Sequence, residues 1–322
     1  MPVLRWGVLS TALINRKLLR GARQVPEVEI VAVASRERER ADRFAAEWAI
    51  PQAYGSYDEL LASPEVDAVY VPLPNGLHHE WTLRALRAGK HVLCEKPYSS
   101  HPAEVVEAFD EADRRGLVLS EAFMFRYNPQ IQALRTLVES GAIGDLRLVN
   151  ASFSWPTDAP GDVRLDPALD GGSLLDVGVY PVSAARLLAG EPVAVTASAA
   201  RGPTGVDTAF ASTMAFAGAV LAHFDCGFHL PDRSRLEVVG TTATIEVSDP
   251  WHCYRPGITT TWQDGRSQKH EFQPTDSYAL ELRHFAAAVE TDCSTELLGR
   301  DDALGQARAV EMLRSAADHH NQ

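Results

Sequence analysis

Two short stretches hold side chains able to do chemistry. In VLCEKPYSS (92–100) an apolar run, Val92-Leu93-Cys94, stops abruptly at Glu95-Lys96-Pro97. In GGSLLDVGVYP (171–181), Asp176 and Tyr180 stand four residues apart behind Gly171-Gly172. On a helix, residues at that spacing project from one face, and the paired glycines permit close backbone approach before it. A tyrosine has an ordinary pKa of about 10, so it exchanges protons near neutrality only beside a positive charge. A lysine at the end of a buried strand supplies such a charge, and carbonyl–alcohol interconversion needs such a proton donor. Taken alone, the first stretch also fits a solvated charged turn. The second also fits an amphipathic helix with a core tyrosine and a solvated aspartate.

The surrounding pattern shows which elements must position these residues. Up to about residue 124, short apolar runs (LRWGVL, EIVAVAS, VDAVYVPLP, HVLCE, LVLSEAF) alternate with amphipathic helical stretches. Continuous apolar strands separated by helices predict a parallel, doubly wound α/β sheet over 1–124, a Rossmann domain for a dinucleotide. The rhythm then changes. One helix (RYNPQIQALRTLVESG) leads into eight strand-like runs from RLVNASFSW to KHEF, with the LLDVGVYPVSAARLLAG helix among them and two helices closing the chain. Several of these runs alternate polar and apolar residues, which predicts an α+β domain over 125–322 with a large open, mainly antiparallel sheet. An open sheet face without helical cover calls for a partner, so a homodimer or homotetramer through this domain is expected.

Bulk properties narrow the function classes. The chain has 322 residues, 45% of them hydrophobic and 23% charged, as a two-domain globular protein should. A net charge of −13 argues against nucleic-acid binding, which needs a basic face. No basic segment followed by a long apolar one opens the chain, and no apolar run reaches membrane-spanning length, so no membrane partner is expected. Four cysteines (Cys94, Cys226, Cys253, Cys293) are scattered without CxxC spacing, which suits a reduced, cytoplasmic setting.

The turn after the first strand, GVLSTALIN, has Ser10, Ala12 and Asn15 where a phosphate-binding turn would place glycines. Ser10 and Ala12 are small, and Thr11 can donate to a phosphate oxygen; Ser10, Thr11, Ala12, Leu13 and Ile14 are the expected cofactor turn. An ordinary tight strand-to-helix turn is the alternative for this stretch alone. The second strand ends in VAVASRERER, where Ser35 takes the place of the acid that binds a ribose 2′-hydroxyl and Arg36 follows it. A hydroxyl and an arginine suit a 2′-phosphate, so NADP(H) is expected in preference to NAD(H).

The ordered phrases YGSYDELL, AGKHVLCEKP, EAFMFRYNPQ, GDLRLV and GGSLLDVGVYPV resemble the Gfo/Idh/MocA oxidoreductases over nearly the whole chain. Within that family the similarity is to the branch of glucose–fructose oxidoreductase, NADP-dependent D-xylose 1-dehydrogenase and dimeric dihydrodiol dehydrogenase. The resemblance implies that Lys96 faces the nicotinamide and stabilises an alkoxide, that Tyr180 is the acid/base, and that Asp176 lies beside it. It also implies a cis peptide at Pro97, a cofactor border formed by Pro74, Asn75 and His78, and a cofactor or positioning role for Glu95. No metal is expected: His78-His79 lack a zinc-binding frame. Arg126 and Tyr127, after the last Rossmann strand, and Phe153, Trp155 and Arg164 are expected to line the substrate pocket together with Asp176 and Tyr180, with Asp162 beside Arg164. The implied activity is hydride transfer between NADP(H) and a sugar or cyclic polyol, either aldose oxidation or keto-sugar reduction. A dihydrodiol dehydrogenase, a non-catalytic NADP-sensing regulator and a scaffolding protein on the same fold are the alternatives.

Overall fold

The computed structural model describes residues 3–157, 159, 161–291 and 298–320; Cys293 lies outside them. The chain divides into two compact units, Met1–Met124 with Asp276–Leu304, and Phe125–Thr275 with Gly305–Gln322. The division expected at residue 124 therefore differs in one respect: the segment from Asp276 packs with the first unit. Its helix Ser277–Thr291 lies against the first helix of the chain, where a Cβ on Gly21 would come within 2.7 Å of the Ala279 nitrogen. Periodicity shows that this segment is a helix but not which sheet it covers.

The first unit alternates strand and helix: β1 (Leu4–Leu9), α1 (Asn15–Ala22), β2 (Val28–Ala34), α2 (Arg38–Trp48), β3 (Gln52–Tyr54), α3 (Tyr57–Leu61), β4 (Ala68–Val71), α4 (His78–Arg87), β5 (His91–Glu95), α5 (Pro102–Arg115) and β6 (Leu119–Ala122). The strands form one parallel sheet in the order β3-β2-β1-β4-β5-β6. All four residues of β4 are buried, as are the last four of β1, which is why these strands read as unbroken apolar runs. Short β3, three residues at the sheet edge, was not legible as a strand. The strand order reverses between β1 and β4, and such a switch point opens a crevice at the carboxyl ends of the strands.

The second unit holds α6 (Pro129–Glu139), β7 (Leu146–Ser154), α7 (Val179–Ala189) and the strands β8 (Pro192–Arg201), β9 (Asp207–Phe216), β10 (Val220–Gly227), β11 (Arg233–Gly240), β12 (Ala243–Ser248), β13 (Gly257–Trp262) and β14 (Ser267–Glu271). The helices Ser277–Thr291 and Arg300–His320 are α8 and α9. The eight strands run β14-β13-β12-β11-β7-β10-β9-β8, antiparallel except where β7 pairs with β10. The expected mainly antiparallel sheet is therefore present. Alternation divides its two faces. Val149, Phe210, Met214, Phe224, Leu236 and Ile245 are buried on the side where α7 packs, whereas Thr196, Ala211, Thr213, Leu221 and His223 are exposed on the other. No helix among the described residues is long and apolar enough to cross a membrane.

Candidate active site

In the first unit, the turn after β1 explains how a chain without the usual glycines manages its bend. Ser10 has φ 88°, the left-handed region that normally favours glycine. Its hydroxyl accepts the Ala12 N–H at 3.2 Å, and its carbonyl accepts from the fully buried Asn15 amide at 2.8 Å. Local hydrogen bonds thus hold a conformation that a serine rarely adopts. Thr11, Ala12 and Ile14 are half-buried, whereas the Leu13 side chain is 79% exposed.

At the end of β2, Ser35 is buried and its hydroxyl accepts the Glu37 N–H at 3.4 Å. Arg36 is exposed and has no carboxylate partner among the described residues, unlike Arg38, which pairs with Asp42 at 2.9 Å. A hydroxyl, an uncommitted guanidinium and a tight turn leading into a helix N-terminus fit the phosphates of NADP(H).

The strand-end residues Pro74 and Asn75 are half-buried just beyond β4. His78, expected at the cofactor border, lies beneath this turn. Its ring is wholly buried, with Nδ1 2.8 Å from the Pro97 carbonyl oxygen and Nε2 2.7 Å from that of Leu73. Burial pulls it down to about 4 against those two hydrogen bonds, which tie His78 to the turn that carries Lys96. The Lys96–Pro97 peptide is cis. Glu95 is engaged inside the unit. One carboxylate oxygen accepts the Tyr70 hydroxyl at 2.5 Å and the other accepts the Lys96 backbone N–H at 3.2 Å.

Below this turn lies a group that the sequence did not single out. Glu281 on α8 is buried, and neither carboxyl oxygen has a hydrogen bond among the described residues. Burial, then the Glu95 charge, hold its carboxyl well above the ordinary 4.5. A carboxyl raised in the folded state adds stability that is full below its unfolded value and is lost as pH rises through the folded one. The melting temperature of the wild type is therefore expected to fall with rising pH above about 4.5, and Glu281→Met to flatten that fall. Parallel melting curves for the two proteins would show that Glu281 does not titrate as the structure requires.

In the second unit, Gly171 and Gly172 lead into the segment carrying Asp176 and Tyr180. A Cβ on Gly171 would stand 2.5 Å from the Arg164 carbonyl oxygen. The segment is not the plain α-helix that the spacing predicts. Leu174–Gly178 forms a π-turn, with the Val179 N–H donating to the Leu174 carbonyl, before α7 begins. Pro181 supplies the reason: it has no N–H, and its ring crowds the carbonyl four residues back, Val177, so the preceding turn widens. Asp207, at the start of β9, caps the segment by accepting the Ser173 hydroxyl and the Leu174 N–H, both at 2.7 Å. Burial raises its carboxyl while these two donors pull it back.

Asp176 accepts the Arg164 Nε–H at 3.0 Å, and Arg164 also reaches Asp162 at 3.2 Å and lies over the Trp155 ring at 5.2 Å. Burial works against the Arg164 charge, but Asp176 and Asp162 outweigh it and hold the guanidinium above its ordinary value. Four residues expected near a substrate, Asp162, Arg164, Trp155 and Asp176, are thus brought together. Tyr180 is half-buried among Phe125, Phe153 and Trp251, at ring separations of 5.5, 5.3 and 6.1 Å. Phe153 and Tyr127 are both buried, and Phe153 packs edge-on against the Tyr180 ring. Arg126 donates to the Ser183 hydroxyl at 2.9 Å. Trp251 was missed because it lies on a loop remote in sequence, where a lone tryptophan carries no spacing signal. Among the described residues no group of three or more His, Cys, Asp and Glu is arranged to hold a metal ion.

Residues 4–123 match the oxidoreductase family with an NAD-binding Rossmann fold, and residues 131–246 match the GFO/IDH/MocA C-terminal domain. The chain belongs to the Gfo/Idh/MocA oxidoreductase family. The resemblance carried by the sequence phrases is therefore borne out. A D-xylose 1-dehydrogenase (NADP(+)) of Haloferax volcanii is 38% identical over 319 residues, covering 98% of each chain. A dTDP-3,4-didehydro-2,6-dideoxy-alpha-D-glucose 3-reductase of Streptomyces violaceoruber is 37% identical, covering 97% of this chain and 92% of its own. Among solved structures, a 3-ketoreductase from Actinomadura kijaniata in complex with NADP and TDP-benzene superposes with a TM-score of 0.90 at 34% identity, covering 98% of both chains.

Proposed function

We infer that this Gfo/Idh/MocA enzyme is an NADP(H)-dependent oxidoreductase that moves a hydride between the nicotinamide and a carbinol or carbonyl carbon of a sugar or cyclic polyol. The observation that carries the reading is full-length similarity to NADP-using sugar oxidoreductases, reaching down to individual residues. The Actinomadura ketoreductase has been solved with a lysine replaced and with a tyrosine replaced by phenylalanine, and those two positions have the same separation as Lys96 and Tyr180 here.

In this reading Tyr180 exchanges the hydroxyl proton of the substrate. Lys96 carries the positive charge that stabilises the developing oxyanion. Asp176, fixed by Arg164, orients the substrate, with Arg126 and Trp155 beside it. The bound nicotinamide supplies the hydride acceptor or donor. Ser10, Thr11 and Ala12 would hold the diphosphate of the bound NADP(H) with backbone and hydroxyl donors, and Ser35 and Arg36 would take its 2′-phosphate. Replacing Arg36 with alanine is expected to raise the KM for NADPH by roughly tenfold to a hundredfold, the loss of one charge-assisted hydrogen-bond set, with the KM for NADH little changed. Equal effects on both cofactors would remove Arg36 from phosphate recognition.

The test of the function is nicotinamide absorbance with aldoses, keto-sugars, inositols and a trans-dihydrodiol, each with the phosphorylated and unphosphorylated cofactor. Turnover preferring NADP(H) supports the reading; tight NADPH binding without turnover on any member would favour a cofactor-sensing regulator. We also place the protein in the cytoplasm, in keeping with the scattered spacing and burial of Cys94, Cys226 and Cys253. The exposed sheet face, with Leu221 47% exposed among small residues, supports a homodimer or larger homo-oligomer through that surface. Light scattering that gives a monomer would reject this.

A further inference from the structure

We propose that the loop between β12 and β13 is a second-ring subsite, in which Tyr254 stacks on a ring that the substrate sugar carries in addition to the one being oxidised or reduced. The inference rests on the sugar-oxidoreductase reading and goes beyond it by stating the size and shape of the substrate. From Tyr180 a path of rings leads outward. Phe153 lies 5.3 Å from Tyr180, His252 stands edge-on to Phe153 at 5.6 Å, and Tyr254 is stacked on His252 at 5.4 Å with 13° between their planes. Tyr254 is 59% exposed, one of few large apolar residues so displayed among the described residues. Trp251 and His252 both touch Phe153, which points to the side of the sheet that α7 covers. The exposed ring therefore stands on the same side as Tyr180.

The loop is built to hold this ring still. Asp249 and Cys253 both adopt positive φ, 44° and 57°, a strained choice for residues with side chains. The Asp249 carboxylate accepts the backbone N–H groups of Tyr254 at 2.7 Å and Arg255 at 3.1 Å, and its carbonyl accepts the Cys253 N–H at 2.9 Å. Gln130, wholly buried on α6, donates to the same Asp249 carbonyl at 3.2 Å and accepts the Gly257 N–H at 2.9 Å. A rigid loop that spends a buried amide and two strained residues to display an aromatic face is arranged for binding, because a fixed tyrosine loses little side-chain entropy when a ring settles on it. The apolar face of a pyranose and the face of a nucleobase both suit it. Arg255, exposed beside Tyr254, has no ion pair among the described residues and would favour the phosphate-bearing version.

The test is calorimetric binding to the full-length protein saturated with NADP+, using D-xylose, xylobiose and TDP-glucose as probes. For the wild type, at least one of the larger probes, xylobiose with one further ring or TDP-glucose with two, should bind about tenfold more tightly than D-xylose, roughly 1.4 kcal/mol. Tyr254→Ala should remove that advantage and leave D-xylose binding unchanged, and Tyr254→Trp should preserve it. Arg255→Ala should weaken TDP-glucose alone if the second ring is a nucleotide base, and should change nothing if it is a sugar. Larger probes that gain nothing over D-xylose, or a gain that survives Tyr254→Ala, would overturn the subsite. Binding of a larger probe without turnover in the sugar assay would instead count against the proposed activity and leave the subsite standing.

Discussion

Replacing Tyr180 with phenylalanine is expected to lower kcat by about 10²- to 10⁴-fold, the span supplied by a positioned proton donor. Melting temperature and NADPH affinity should stay close to those of the wild type. The substitution removes one oxygen and keeps the ring, so the contacts with Phe125, Phe153 and Trp251 remain. The packed surroundings that hold the ring are the physical reason to expect a clean result: no cavity opens, and no buried donor is added. Steady-state kinetics on the best sugar of the panel, beside calorimetric NADPH binding, would check this. A kcat within threefold of wild type would remove Tyr180 from proton transfer. A large fall in both kcat and NADPH affinity would mean that the hydroxyl supports the protein's structure and not its chemistry.

The elements that carry local signals were legible. Unbroken apolar runs separated by amphipathic helices gave the parallel sheet, because a strand buried on both faces has nowhere to place polar residues. The motif phrases gave the family, and with it the expectation that Lys96 and Tyr180 serve the chemistry. What sequence did not reveal depends on contacts between distant positions. Ser10 occupies a left-handed bend that is usually read as glycine, and only the hydrogen bonds from Ala12 and Asn15 show why serine serves there. The resemblance placed His78 at the cofactor border, and only the structure shows that the carbonyls of Leu73 and Pro97 hold its ring. The π-turn had a visible cause in Pro181, but whether a proline kinks a helix, ends it or widens the turn before it depends on what packs there. Here Gly178 lies on β10, and a Cβ at that position would come 2.8 Å from the Cys226 sulfur. Glu281 and Trp251 had no spacing signal at all; their importance arises from the sheet and the loop that fold back against them.

Gly172→Ala is expected to destabilise the protein by about 3 kcal/mol or more, since a side chain in a forbidden backbone region and a direct clash each carry a cost of about 1–3 kcal/mol. Both apply at this position. Gly172 has φ 122°, and a Cβ there would fall on a carboxylate oxygen of Asp207. That carboxylate cannot easily withdraw, because it is half-buried and caps Ser173 and Leu174 at 2.7 Å. Relief of the clash would have to come from moving the start of the π-turn, which would carry Asp176 and Tyr180 with it. Two readouts are therefore expected to change together: melting temperature, by roughly 6–12 °C at a few degrees per kcal/mol, and kcat measured below the melting transition. Asp207→Asn, which keeps an acceptor for the Leu174 N–H, should be much milder on both. If Gly172→Ala melts within about 2 °C of wild type with unaltered kcat, the glycine pair is a dispensable turn. If stability falls while kcat holds, the cap on the π-turn supports the fold without setting the position of the tyrosine.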